Sequence, residues 1–166
     1  MDYMIGDLHF GDKSILKLER TQFKTVEEMN MFLIQKWNSV VTDADTVFVN
    51  GDLFGYCGAD YIEDVIQQLK GKIVLIVGNH DVDLVDAYRK AGIEVITYPI
   101  LYNGYYIVSH EPLFVCETSP YINIYAHVHS NPSYKDVSCR SMCISADRIN
   151  YTPIPFSEIR NKIREL

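Results

Sequence analysis

The residues best suited to chemistry in this sequence are histidines and acids that stand together in short motifs. All five histidines belong to such motifs. Carboxylate, amide and imidazole groups together offer donors of intermediate softness, which suit Mn, Fe, Co, Ni or Zn better than Ca²⁺. Along the chain the motifs are Gly6-Asp7-Leu8-His9, Gly51-Asp52, Gly78-Asn79-His80-Asp81, Ser109-His110 and Ala126-His127-Val128-His129.

The donor set is larger than one metal ion needs. Two carboxylates, one amide and at least four imidazoles exceed what a single tetrahedral ion can use. The count therefore predicts two ions that share a bridging ligand. Two divalent ions would outweigh the negative charges of Asp7 and Asp52, so the site would attract a phosphate group.

The composition is acidic, with 15 Lys and Arg against 22 Asp and Glu and a formal net charge of -7. A general nucleic-acid-binding protein would show a basic face, so the composition argues against that class. It still allows a phosphate-bearing substrate, because the potential at a metal site can oppose the net charge. Phe10 and Tyr56 follow motifs directly and are the aromatic residues expected nearest the site. Asp12 and Lys13 are expected in a solvated loop.

Every motif follows a predicted strand. The strands are expected at residues 2–5, 46–49, 73–77, 94–97, 100–102, 105–109 and 121–125, with one or two more in 137–145. Asn103-Gly104 predicts a hairpin turn. In open α/β sheets ligands bind at the carboxyl ends of strands, so these motifs are expected to meet at one edge.

Helices are expected between the early strands. Apolar periodicity predicts them over residues 25–40, 61–70 and 84–91, followed by a last helix over 158–165 that Ser157 could cap. Thr25 and Glu28 fit a capping box at the start of the first of these helices. Alternating strands and helices predict a layered α/β domain.

The length of 166 residues suits a single domain, 1–166. The N-terminus does not resemble a signal peptide, and no apolar run approaches the roughly 18 residues of a membrane helix, so a cytoplasmic location is expected. The four cysteines lack the spacing of a disulfide framework and are expected as reduced thiols. Cys139 and Cys143 are a poor match to the spacing of a zinc knuckle.

The five motifs, in this order, resemble those of the calcineurin-like metallophosphoesterases. The resemblance covers residues 6–129 and continues weakly through 141–159. Any one motif is common by chance, but five in order, each after a strand, form a specific pattern. The resemblance implies an α/β fold of four layers, in which two packed mixed β-sheets are flanked by helices.

The resemblance also implies which side chains bind which ion. The first ion would be held by Asp7, His9 and His129. The second ion would be held by Asn79, His110 and His127. Asp52 would bridge the ions, which in such sites lie about 3.5–4 Å apart. Mn²⁺ is the expected metal, with Fe, Zn, Ni or Co as alternatives decided by availability.

In this pattern His80 binds no metal. Together with Asn79 it would contact the substrate, donating a proton or stabilising charge at the leaving group while a bridging hydroxide attacks phosphorus in line. Its orienting partner is open, because Gly55 stands where protein phosphatases of the family carry an aspartate. Asp81 either orients His80 and so joins the catalytic residues, or caps the following helix. Ala126 replaces the usual glycine before His-x-His, which requires a negative φ.

The expected function is metal-dependent hydrolysis of a phosphomonoester or phosphodiester. The expected substrate is a small phosphate ester, with a nucleotide or a nucleic-acid end among the candidates, and no membrane or obligate protein partner is expected. An alternative is a non-catalytic metal-binding scaffold on the same fold, although scaffolds tend to lose the ligand and catalytic histidines that this chain retains. A third alternative, a metal-dependent amide hydrolase, would place His-x-His after the first strand.

Overall fold

The computed structural model describes residues 1–134 and 140–165. Its strands agree with the sequence prediction to within about two residues, apart from a short final strand that was not predicted. Residues 137–139 of the predicted 137–145 strand lie outside the described residues. The strands are β1 (Asp2–Ile5), β2 (Thr46–Asn50), β3 (Lys72–Ile76), β4 (Glu94–Ile96), β5 (Ile100–Tyr102), β6 (Tyr106–Val108), β7 (Ile122–Tyr125), β8 (Ser141–Cys143) and β9 (Ile154–Pro155).

The helices differ more from the prediction. They are α1 (Ile15–Leu18), α2 (Val26–Asn38), α3 (Ala59–Ile66), α4 (Val85–Lys90) and α5 (Phe156–Glu165), with 3₁₀ turns at Val82–Leu84 and Ala146–Arg148. The side chain of Thr25 caps α2 by accepting from the Glu28 N–H at 3.1 Å, as predicted. The Glu28 carboxylate accepts from the Lys24 N–H at 2.9 Å, so the reciprocal half of the box is displaced by one residue. Helix α5 begins before Ser157, which is therefore not its cap.

Both sheets are mixed, as the predicted fold requires. The first has the order β4-β3-β2-β1-β9, in which β9 is antiparallel to β1 and the other neighbours are parallel. The second has the order β5-β6-β7-β8, in which only β5 and β6 are antiparallel. Asn103 and Gly104 both have positive φ in the β5–β6 turn, which confirms the predicted hairpin.

Successive side chains of a strand point to opposite sides of the sheet. Both sides of the first sheet are buried, each against its own hydrophobic core. Tyr3 and Ile5 of β1 belong to a core that includes Met29, Leu33 and Trp37 of α2. Met4 belongs to a second core, which contains residues of both sheets and of α5. The members of this second core are Met4, Ile76, Val108, Ile124, Ile144, Ile154, Ile159 and Ile163.

Two sets of hydrogen bonds join the ends of the two sheets. The Gly6 N–H donates to the Ile144 carbonyl at 3.1 Å, and the Ala146 N–H donates to the Gly6 carbonyl at 2.9 Å. The buried Asn50 amide donates to the Ser109 and Ile124 carbonyls, at 3.1 Å each. These bonds place the carboxyl end of β1 beside that of β8, and the carboxyl end of β2 beside those of β6 and β7.

The two sheets approach each other closely at Gly6 and Ala126. Ala126 lies outside the positive-φ region, so the condition for replacing the usual glycine is met. A Cβ atom on Gly6 would overlap the Ala126 Cβ and would lie 3.0 Å from the Asn50 carbonyl oxygen. The absence of a side chain at position 6 therefore leaves room for the methyl group at position 126.

Among the described residues, every helix is too short or too polar to cross a bilayer. Cys57, Cys116 and Cys143 carry free thiols. Cys139 lies outside the described residues, so its expected reduced thiol stays a prediction.

We expect Gly6→Ala to lower the free energy of unfolding by about 1–3 kcal/mol, because the added methyl group overpacks the junction. The double variant Gly6→Ala/Ala126→Gly should recover much of that loss, and Ala126→Gly alone serves as the control. Urea unfolding of the four proteins gives the coupling energy. Additive effects of the two substitutions would contradict the contact.

Candidate metal centre

The predicted site residues converge at the carboxyl ends of β1, β2, β3, β6 and β7. Three overlapping groups of side chains place their ligand atoms within 4.8 Å of one another. The groups are Asp7-His9-His129, His9-Asp52-His80 and Asp52-His110-His127. We call the first group the inner cluster; the outer cluster consists of Asp52, His110, His127 and the adjacent Asn79.

The inner cluster is mostly buried: Asp7 and His9 are buried, and the His129 side chain is 16% exposed. The Asp7 carboxylate accepts from the His127 N–H at 3.1 Å and from the Ser145 hydroxyl. His9 is also buried, and its Nδ1 lies 3.1 Å from an Asp12 oxygen. The hydrogen bond from His9 is the main reason why the pKa of Asp12 lies well below its usual range, so Asp12 is ionised and His9 Nδ1 carries the proton.

His9 Nε2 is therefore left as a lone-pair donor. It is buried and has no hydrogen-bond partner among the described residues, and it lies 3.6 Å from an Asp52 oxygen. A buried polar atom without a partner is costly unless something else binds it. Its chemistry and its position beside two carboxylates fit a divalent cation.

His129 is oriented by a buried ion pair. Its Nδ1 lies 2.9 Å from Asp147, which also binds Arg20 at 3.0 Å through Nε and at 3.1 Å through Nη2. Burial opposes the charge of Asp147, but the hydrogen bonds from His129 and Arg20 hold its pKa well below the usual range. The ionised carboxylate fixes the proton on His129 Nδ1, so Nε2 is available as a ligand.

Three atoms of the outer cluster form a nearly equilateral triangle. Asn79 Oδ1 lies 2.9 Å from His110 Nε2 and 3.1 Å from His127 Nδ1, and the two nitrogens are 3.0 Å apart. His110 Nδ1 lies 2.8 Å from the Asn50 carbonyl oxygen, so it carries the proton and leaves Nε2 free to bind. Bonds of about 2.1 Å to one ion would place octahedral neighbours about 3 Å apart, so the triangle fits one face of such an ion.

Asp52 lies between the two clusters. Its Oδ1 accepts from the His80 N–H at 2.9 Å. Its Oδ2 lies 3.6 Å from His9 Nε2 and 3.4 Å from His110 Nε2. This is the position that the sequence resemblance implied for the bridging residue.

Several of the predicted ligands have an unusual backbone conformation. Five of the predicted ligands have φ between 47° and 69°, where residues other than glycine pay about 1–3 kcal/mol each. The Asp7 and His9 N–H groups are held by the carbonyls of Gly51 and Asp52, at 3.0 and 2.9 Å. Such strain is found mostly at functional sites. The five residues are Asp7, His9, Asp52, His127 and His129.

Asp81 neither orients His80 nor caps the following helix. Its buried carboxylate accepts from the N–H groups of Asp52, Leu53 and Gly78, at 2.7, 3.1 and 2.8 Å, and from the Tyr88 hydroxyl at 2.7 Å. Its side chain makes no capping bond to the following 3₁₀ turn. The expectation that Asp81 orients His80 or caps a helix is therefore wrong. It ties the loops after β2 and β3 together.

His80 is held by its backbone and by ring contacts. Its ring centroid is 5.0 Å from that of His9 and 5.9 Å from that of Tyr56. His80 Nδ1 is buried and unpaired among the described residues. Of the two aromatic residues expected near the site, Tyr56 lies there. Phe10 does not, because it is fully buried against Phe54 in the first core.

Sequence reasoning missed the residues that position the ligands, among them Asp12, Arg20 and Asp147. Asp12 was expected in a solvated loop but is buried against His9, and its place three residues after a ligand histidine was a usable signal. Arg20 and Asp147 lie 127 residues apart, so the sequence carries no signal that they are in contact. Arg20 is fully buried and donates to the Leu8 carbonyl at 2.6 Å and to the Asp7 carbonyl, so it holds the loop that carries two ligands.

The family model of the calcineurin-like phosphoesterases matches residues 3–159. An uncharacterized protein of Methanocaldococcus jannaschii, MJ1445, is 34% identical over 163 residues, which cover 92% of this chain and 85% of that protein. The gene 66 protein of Mycobacterium phage L5 is 35% identical over 81 residues, which cover 48% of this chain and 39% of that protein.

Two crystal structures share the fold. A protein of unknown function from Aquifex aeolicus, AQ665, has a TM-score of 0.76 at 23% identity, covering 97% of this chain and 98% of that one. The Pseudomonas putida nuclease MPE has a TM-score of 0.56 at 20% identity, covering 77% of this chain and 61% of that one. At these identities the likeness supports the fold alone.

We expect Arg20→Lys to fold but to bind metal about 10–100-fold more weakly, because an ammonium group cannot hold Asp147 and two carbonyls together. Titration calorimetry of Mn²⁺ into metal-stripped protein measures the change. Arg89→Lys, at an exposed arginine 3.6 Å from Asp86, is the matched control. Equal affinities of Arg20→Lys and the wild type would refute the positioning role.

Binding of a divalent ion should stabilise the fold. At a free concentration of 100 times Kd, one bound ion adds about 2.7 kcal/mol, or about 5–10 °C in Tm for a chain of this size. Thermal unfolding with Mn²⁺, Zn²⁺, Ni²⁺, Co²⁺ or Fe²⁺, followed by chelation, tests this. His9→Ala should abolish most of the shift. A Tm that none of these ions changes would rule out the metal centre.

Proposed function

The chain belongs to the calcineurin-like phosphoesterase family, and we propose that it is a phosphohydrolase that uses two divalent metal ions to cleave a phosphomonoester or phosphodiester. The observation that carries the proposal is the pair of ligand clusters that meet at the Asp52 carboxylate. Each cluster has enough donors for one ion. The mixed donor set accepts several first-row ions, and we propose Mn²⁺, with Fe, Zn, Ni or Co as alternatives decided by availability.

The bound ions would activate a water molecule and neutralise charge on the phosphate group. The protein's own contribution is to hold seven ligand side chains before the metal arrives: Asp7, His9, Asp52, Asn79, His110, His127 and His129. Four of them are fixed by contacts with Asp12, Asn50, Asp147 and Ser145. Little reorganisation is then needed on binding, which favours affinity and rate.

The outer cluster is where substrate would enter. Asn79 and His127 are exposed, whereas Asp7, His9 and Asp52 are buried. His80 is half-buried beside the same opening, and its N–H bond to Asp52 fixes its distance from the bridging carboxylate. We assign His80 to the leaving group, where it donates a proton or stabilises charge. Asn79 would contact the substrate as well as the ion.

The retained ligands and this opening favour catalysis over a metal-binding scaffold. A phosphodiester stays among the candidate substrates, as the sequence resemblance implied. Nucleotides, nucleic-acid ends and small phosphate esters therefore form the substrate class that we propose. A cytoplasmic location remains a prediction from the sequence.

Hydrolysis of 4-nitrophenyl phosphate and bis(4-nitrophenyl) phosphate in the presence of Mn²⁺ tests the proposed reaction. His80→Ala and Asp52→Asn should each lower kcat by about 10²–10⁴-fold, the usual contribution of a positioned acid or charge. Asp86→Asn, at a carboxylate whose side chain is 91% exposed, is the control. No hydrolysis of either ester with any of the five candidate metals would refute the proposed activity.

The number of ions is tested separately. Metal analysis of the Mn²⁺-loaded protein should find two ions per chain, and His110→Ala should reduce the count to one while the inner cluster stays filled. One ion in both proteins would contradict the bridging role of Asp52.

A further inference from the structure

A groove of about 320 Å³ opens beside the outer cluster. It lies between the end of β3, the connection from β4 to β5 and the segment that follows β6. Asn79 and His110, two predicted metal ligands, form part of its wall. Small-molecule sites usually measure about 300–1,000 Å³, so this groove has room for one organic group of a phosphate ester. A phosphate held at the outer cluster would place its substituent there.

The residues that line the groove favour a ligand with an uncharged planar group. Val82, Tyr98 and Leu113 line the groove, and each is 39–66% exposed, so their apolar surfaces are available to a ligand. Among the residues that the structure describes, the lining includes no lysine or arginine, and its one acidic residue is Glu111. A carboxylate repels a second phosphate but accepts a hydrogen bond from an N–H group. An aromatic wall and one acceptor together suit a nucleobase.

A second aromatic surface lies at His80. Tyr56 is 82% exposed, and its ring centroid is 5.9 Å from the His80 ring. The metal clusters thus have an aromatic group beside the residue assigned to the leaving group and an apolar groove beside Asn79 and His110. A phosphomonoester carries one organic group and could use only one of these surfaces. A phosphodiester carries two.

We propose that the groove is a nucleoside subsite and that the substrate is a phosphodiester with a nucleoside on this side of the phosphorus. Tyr98 stacks on the base, and Glu111 accepts one of its N–H groups. This inference rests on the proposed phosphohydrolase activity and names its substrate class. In hydrolysis, water forms the new P–O bond, the bond to the other ester group breaks, and a nucleoside monophosphate and an alcohol are released with one proton.

Two diesters with the same leaving group isolate the subsite. Thymidine 5′-(4-nitrophenyl phosphate) and methyl 4-nitrophenyl phosphate both release 4-nitrophenol, but only the first carries a base. With the Mn²⁺-loaded enzyme, the thymidine ester should have a kcat/KM about 10-fold higher or more. Tyr98→Ala should raise KM for the thymidine ester about 10-fold and leave the methyl ester unchanged. Tyr105→Ala, at a tyrosine 59% exposed in the β5–β6 hairpin, is the matched control.

A binding measurement separates the subsite from catalysis. In equilibrium dialysis of the Mn²⁺-loaded protein, thymidine 5′-monophosphate should bind more tightly than inorganic phosphate, and Tyr98→Ala should remove that advantage without changing phosphate binding. Equal hydrolysis of the two esters, or an equal effect of Tyr98→Ala on both, would overturn the subsite and leave the phosphohydrolase activity standing. Hydrolysis of neither ester would overturn the proposed activity, and the dialysis would still decide the subsite.

Discussion

A strained backbone is the constraint on which this structure depends. Five predicted metal ligands lie in the left-handed region, a conformation that these residue types adopt only when their surroundings impose it. The strain turns the chain sharply where each strand ends, so that side chains from separate loops point at common centres. Something must hold those turns, and in this protein buried polar groups do so.

Two buried side chains, Arg20 and Asp81, hold several of these turns. Arg20 binds the carbonyls of Asp7 and Leu8 together with the Asp147 carboxylate, and it thereby connects the loop after β1 to His129. Asp81 binds three N–H groups in the loops after β2 and β3. Burying an ionisable group is expensive unless its polar atoms have partners. Arg20 has several partners, and although burial raises the pKa of Asp81, its carboxylate accepts four hydrogen bonds. Removing either would therefore release a loop as well as a hydrogen bond.

The two ligand clusters differ in their access to solvent, and this asymmetry links the structure to the reaction. In the inner cluster Asp7 and His9 are buried, His129 is 16% exposed, and the hydrogen bonds of Arg20 hold the cluster in place. The outer cluster carries the exposed Asn79 and His127 and opens toward the groove. The acidic surface reflected in the net charge of -7 surrounds a site that bound cations would make positive. Attraction of a phosphate ester would then depend on bound metal.

The sequence by itself determined the positions of the first eight strands along the chain, the Thr25 cap, the Asn103-Gly104 turn and the convergence of the motifs. These features follow from local periodicity, from turn chemistry and from the rule that loops at the carboxyl ends of neighbouring strands meet. Asp7, His9, Asp52 and the other motif residues could be named because each stands directly after a strand. Helix ends were less accurate: α3 runs over Ala59–Ile66, whereas the apolar pattern predicts a helix over 61–70.

Only the tertiary structure decided what supports those ligands. The bond between Arg20 and Asp147 spans 127 residues, and the Asp81 carboxylate reaches backbone groups 28 and 29 residues away, so neither leaves a local pattern in the sequence. Asp81 stood next to His80 in the chain and so invited a role beside it, but the fold turns its side chain into the interior. The side chains of two consecutive residues at a bend can point in opposite directions, and tertiary packing decides which of them is buried.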